Sequence, residues 1–93
     1  MIRLENWSLV CANPDPYQPP EAQVQSMHGN VYGHARFQDG DEITTTPIKR
    51  INVVDASLLV HTRNSVYELG SVDPQYEAAY PNARARLVKA ASR

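Results

Sequence analysis

Cysteine, long apolar runs and excess charge of either sign are all scarce in this sequence, and each scarcity removes a class of answer. The single cysteine, Cys11, excludes an internal disulfide framework and suits a reducing compartment. No apolar run approaches the roughly 20 residues of a membrane-spanning helix. The start Met1-Ile2-Arg3-Leu4-Glu5 turns polar too early for a secretory signal. A soluble cytoplasmic protein with no membrane partner is therefore expected. A formal net charge of −1 over 93 residues offers no excess that would draw the chain to nucleic acid or to a bilayer. Hydrophobic residues are 42% and charged ones 20%, too apolar a balance for a disordered chain. At this length there is room for one modest core, so residues 1–93 read as a single small domain.

The small net charge hides an asymmetry. Residues 1–81 carry −5, whereas residues 82–93 carry +4 through Arg84, Arg86, Lys89 and Arg93. A basic tail can meet a partner, but basic residues also suit the negative end of a helix dipole.

Residues 4–11 place Trp7, Leu9 and Cys11 at period two, which predicts a strand. Four prolines in residues 13–20 deny amide donors and set φ, so this stretch is an extended loop. Pro20 then opens residues 21–27, and Gly29 follows, the asymmetry of a short helix with Val24 and Met27 on its buried side. From Val31 a β pattern runs for about 40 residues. Gln38-Asp39-Gly40 signals a hairpin turn, and a three-residue loop gathers Ala35, Phe37, Ile43 and Thr45 on one face. The opposite face then pairs Tyr32 with Thr46, His34 with Thr44 and Arg36 with Glu42. Pro47 interrupts the run, residues 48–54 continue it, and Asp55-Ala56-Ser57 turns the chain. A second hairpin across Arg63-Asn64 aligns Leu58, Val60, Tyr67 and Leu69.

Asp73 before Pro74 marks a helix start, the alanines between 78 and 91 favour helix, and Pro81 demands a break near Tyr80. Tyr76, Tyr80, Leu87 and Val88 are the residues available to dock it. These signals predict a mostly-β, α+β fold: a small SH3-like barrel or a curled antiparallel meander of four to five strands. A short helix after the proline loop and a helical C-terminus complete it, with a β-rich body over 1–72 and a helical basic tail over 73–93.

The block Gly29-x-Val31-Tyr32-Gly33-His34-x-Arg36-Phe37-x-Asp39-Gly40, with Ile43 and Thr45 after it, resembles a family of short uncharacterised phage and prophage proteins. Trp7, the Tyr17 to Glu21 segment, and Thr62 with Val66-Tyr67-Glu68-Leu69-Gly70 extend the likeness over most of residues 7–75. Proline in place of Ala35 and glycine in place of Asn64 are the family's more frequent choices. The resemblance implies a context, an accessory inhibitor of host machinery such as an anti-CRISPR or other anti-defence protein, and no particular chemistry.

Chemistry finds little purchase in the residues themselves. Cys11 on a strand face is a small core residue more readily than a nucleophile, since no spacing pairs it with His28, His34 or His61. The same three histidines show no metal-ligand spacing, so neither metal nor other cofactor is expected. Asp39, Asp41 and Glu42 crowd a turn as solvated acids, and no glycine-rich phosphate loop exists. A non-enzymatic binding protein is the reading left. Tyr32, His34, Arg36 and Thr44, with Tyr17 next, are the candidate protein-binding residues, directed at a host protein or ribonucleoprotein complex. An exposed strand edge would also admit a second copy as a homodimer. The alternative is an SH3-like nucleic-acid-binding module that uses the same strand face with Arg84, Arg86, Lys89 and Arg93 on phosphates.

Overall fold

A computed structural model describes residues 1–11, 17 and 25–91. Six strands form one mixed sheet: β1 (Ile2–Cys11), β2 (Gln25–Tyr32), β3 (Asp41–Thr44), β4 (Ile48–Val54), β5 (Ser57–Thr62) and β6 (Val66–Leu69). Two short helices follow, α1 (Pro74–Ala79) and α2 (Ala83–Ala91). The strand order is β3-β2-β1-β6-β5-β4. All neighbours are antiparallel except β1 and β6, which run parallel through Ile2–Tyr67, Arg3–Glu68 and Leu4–Leu69.

The mostly-β, α+β architecture is as the sequence predicts, but the sheet is neither a closed barrel nor an all-antiparallel meander. The N-terminal strand lies inside the sheet, between β2 and β6, and β3 and β4 are its edges. Those two edges are joined by residues 45–47 alone. A flat six-stranded sheet would hold them about 24 Å apart at ~4.8 Å per strand. Four Cα steps from Thr44 to Ile48 reach at most about 14 Å. The sheet must therefore curl without closing, and the curl wraps one core.

The core comprises Leu4, Trp7 and Leu9 of β1, Met27 and Val31 of β2, Ile43, Leu58, Val60, Tyr67 and Leu69, closed by Ala83 and Leu87 of α2. Leu4 and Trp7 are three apart yet both point inward because β1 carries a bulge. Glu5 pairs with Asn30 but Ser8 with His28, so Asn6 and Trp7 together oppose Gly29. Asn6 takes φ 51°, a left-handed value that asparagine tolerates better than most residues.

Two expectations are overturned here. Residues 25–27 belong to strand β2, not to a helix, because Gln25, Met27, Gly29 and Val31 alternate inward against β1 and fully bury Met27 and Val31. Residues 20–24, where that helix would begin, lie outside the described residues, as does the proline-rich stretch apart from Tyr17. The β2–β3 register also differs: His28 pairs with Thr44, Gly29 with Ile43, Asn30 with Glu42 and Val31 with Asp41. Strand β2 thus ends at Tyr32, and residues 33–40 form a loop bounded by left-handed Gly33 (φ 76°) and Gly40 (φ 94°). In the observed register Ile43 is buried opposite Gly29, while Phe37, beyond the end of β2, is 41% exposed.

The β5–β6 hairpin matches its expected register, with Val60 opposite Tyr67 and Thr62 N–H donating to the Ser65 carbonyl at 2.9 Å. Helix α1 begins at Pro74 after Asp73 in an extended conformation, and the chain breaks at Tyr80–Asn82 as Pro81 requires. The Glu77 carboxylate reaches across the break and accepts from the backbone N–H groups of Asn82 (2.5 Å) and Ala83 (3.3 Å), capping the start of α2. Among the described residues, no helix is long and apolar enough to cross a membrane.

Candidate functional site

The loop at residues 33–40 is held by its own hydrogen bonds. Gly33 N–H donates to Asp39 Oδ1 (2.9 Å), Gln38 N–H to Asp41 Oδ2 (3.0 Å) and Gly40 N–H to the Val31 carbonyl (2.7 Å). Asn30 Nδ2 donates to the Gly40 carbonyl from the neighbouring strand. Arg36 N–H donates to His34 Nδ1 at 3.0 Å, which makes Nδ1 the acceptor and leaves Nε2 to carry the imidazole proton. The His34 ring meets Phe37 edge-on at 4.8 Å and lies at 30° to the Tyr67 ring at 6.3 Å. Loop and core are joined through that stack.

Beside the loop opens a cleft of about 470 Å³, walled by the loop on one side and by residues 43–46 and the β5–β6 turn on the other. His34, Arg36 and Thr44 of the predicted site all line it. Tyr32 stands at the end of β2, 39% exposed and outside that lining, and Tyr17 is 93% exposed at its turn. The expected cross-strand pairs His34–Thr44 and Arg36–Glu42 are replaced by His28–Thr44 and Asn30–Glu42. His34 and Arg36 nevertheless reach the cleft, from a loop rather than from a strand.

Phe37, Asn64, Ser65 and Tyr67 also line the cleft, whereas the sequence pattern sets Phe37 on a strand face with Ala35, Ile43 and Thr45. Phe37 is 41% exposed. Its position depends on where β2 stops, and only the bracketing glycines at 33 and 40 hint at that.

The outer face of β2 and β3 carries a second polar arrangement. His28 lies between Thr44 Oγ1 (Nδ1, 2.9 Å) and Glu42 Oε1 (Nε2, 3.1 Å). In the tautomer whose Nε2–H donates to Glu42, Nδ1 accepts from the Thr44 hydroxyl. A hydroxyl, an imidazole and a carboxylate in series have the connectivity of a nucleophile relay. Of the nearby amides, Asn6 Nδ2 donates to Asn30 Oδ1 (3.3 Å) and Asn30 Nδ2 to the Gly40 carbonyl (3.1 Å). Glu42 is 72% exposed at its side chain. The trio is a cross-strand polar cluster on an open face.

The remaining candidates are dispersed. Cys11 is half-buried at the end of β1 and makes no hydrogen bond to a histidine among the described residues. His61 Nε2 meets Asn52 Oδ1 at 2.7 Å on the β4–β5 pair. No group of three or more His, Cys, Asp or Glu side chains able to hold a metal occurs among the described residues. In the basic tail, Arg84 Nη2 donates to the Ala56 carbonyl (3.1 Å), the Arg86 guanidinium sits 5.7 Å over the Tyr80 ring, and Lys89 is exposed. Arg93 lies outside the described residues. Two of the tail's cations thus have roles inside the fold.

Comparisons with protein-family models, with curated proteins and with solved structures find no match to the chain.

Proposed function

We propose that this protein acts without chemistry of its own, as an interaction protein that grips a partner with the 33–40 loop and the cleft beside it. One observation carries the reading: a loop fixed by four backbone hydrogen bonds presents Arg36 and the half-exposed ring of Phe37 outward. Aromatic and arginine side chains dominate binding energy at interfaces, and a loop ordered beforehand loses little entropy on association. The resemblance to short phage and prophage proteins supports a host protein or ribonucleoprotein complex as the partner, with inhibition of a defence system such as CRISPR–Cas as the outcome.

Capture from host lysate on immobilised protein tests this, with wild type beside Arg36→Glu and Phe37→Ala. A partner held by wild type and lost from both variants, at unchanged circular dichroism, is the expected result. Identical captured material from all three, or none from any, overturns the reading.

A further inference from the structure

We propose that the cleft beside the 33–40 loop is an oxyanion-binding site, taking a carboxylate or phosphate group carried on a flat apolar stem. The inference rests on the interaction reading for its biological setting, and names the chemistry that the cleft would grip.

The lining is rich in hydrogen-bond donors. Among the described residues no carboxylate lines the cleft, although residues 1–81 carry a net −5. The acids nearest Arg36 in sequence are committed to the loop backbone, Asp39 to Gly33 N–H and Asp41 to Gln38 N–H. The Arg36 guanidinium forms no ion pair among the described residues. His34 has its Nδ1 occupied by the Arg36 amide, so the nitrogen left to meet a ligand is the donor Nε2–H. From the β5–β6 turn opposite, the Asn64 amide and the Ser65 hydroxyl also lack side-chain partners among the described residues. Four unspent donor groups, one a permanent cation, therefore border one cavity that no acid among the described residues lines.

Guanidinium, imidazole N–H, amide and hydroxyl are the groups that bind carboxylate and phosphate oxygens, and charge-assisted bonds are the strongest of that kind. Beside four threonines, the lining carries the apolar surface of Ile2, Phe37, Ile43 and Tyr67, which suits a flat apolar stem. A volume of about 470 Å³ exceeds what a bare ion needs and falls within the range of small-ligand pockets. The stem could belong to a free metabolite or to an acidic or phosphorylated side chain of the partner; the group recognised is the same.

Titration of ¹⁵N-labelled protein with benzoate, phenyl phosphate and neutral benzamide tests the proposal through the amide signals of Arg36, Thr46 and Ser65. At least one anion should shift all three saturably, with benzamide at least about tenfold weaker. Arg36→Gln should weaken the anion about tenfold, and Ser65→Ala, on the opposite wall, about threefold. A preference for phenyl phosphate assigns a phosphoryl group, and one for benzoate a carboxylate. Benzamide binding as tightly as the anions, both variants binding like wild type, or no saturable shift with either anion overturns it. Silence in this titration with partner capture intact defeats the oxyanion site alone. Anion binding with no partner captured defeats the interaction reading alone.

Discussion

Ser71 gives both its backbone N–H (2.9 Å) and its hydroxyl (2.8 Å) to one oxygen of the Glu5 carboxylate, 66 residues earlier in the chain. Arg3 occupies the other oxygen and reaches on to Glu68 at 3.7 Å. This clamp secures the parallel neighbours β1 and β6 just where β6 ends. Hydrogen bonds from Gly70 N–H to the Leu4 carbonyl (2.8 Å) and from Trp7 Nε1–H to the Gly70 carbonyl (3.0 Å) flank it.

The clamp makes stability depend on acid in a defined window. The Arg3 hydrogen bond, reinforced by the Ser71 donors, lowers the Glu5 carboxyl from 4.5 to about 2. A depressed carboxylate stabilises the fold fully above its unfolded value and loses that contribution as pH falls through the folded one. Thermal unfolding should therefore show Glu5→Gln less stable than wild type by about 1–2 kcal/mol at pH 7, Arg3 being half-exposed and screened. The gap should narrow from pH 4.5 down to about 2. A gap that persists undiminished at pH 2 contradicts the assignment.

Two glycines around Glu5 should respond differently to alanine. A Cβ at Gly29 would lie 2.7 Å from the Glu5 carbonyl oxygen, a backbone atom held by the β1 bulge. At Gly70 it would strike the Glu5 carboxylate, the free end of a flexible side chain. Gly29→Ala is expected to cost about 2–3 kcal/mol by forcing the strands apart. Gly70→Ala should cost nearer 1 kcal/mol, the worth of the displaced hydrogen bonds. Urea unfolding of both variants checks the order, and equal losses would count against it.

The β4–β5 turn is strained at a removable point. Asp55 (φ 49°) and Ala56 (φ 66°) are both left-handed, the geometry of a two-residue hairpin turn that favours Asn-Gly. Ala56→Gly should raise stability by about 1 kcal/mol, since the left-handed penalty exceeds glycine's added entropy cost. A lower melting temperature for this variant would contradict that reading.

Order in the binding loop should be separable from global stability. Asp39→Ala removes the acceptor of Gly33 N–H. Hydrogen exchange at Gly33 is expected to accelerate by about tenfold while the core amides of Met27 and Val60 keep their protection. Partner capture should weaken with it. Uniform acceleration across core and loop would show that the loop is not an independent unit.

Local chemistry was legible wherever a few adjacent residues decide the outcome. Pro74 started a helix, Pro81 broke it, and Arg63-Asn64 closed a hairpin in the expected register. The candidate site was half legible: His34, Arg36 and Thr44 do share a cleft, but the pairing expected to unite them does not exist. Strand alternation carried past Gly33 sets Phe37 on one face with Ala35 and Ile43, but φ 76° at Gly33 takes the chain out of the strand.

The scarcity of cysteine and of long apolar runs, the proline and alanine placement, and the period-two stretches were determined by the sequence alone, because each acts through near neighbours. Tertiary structure decided the rest. It made residues 25–27 strand rather than helix, set the N-terminal strand inside the sheet and parallel to β6, and fixed where β2 stops. Each of those outcomes depends on which distant surfaces are buried together. Trp7 meets the Gly70 carbonyl across 63 residues, and Glu5 meets Ser71 across 66. Such contacts carry no periodicity along the chain, so they emerge only when the sheet curls around its core.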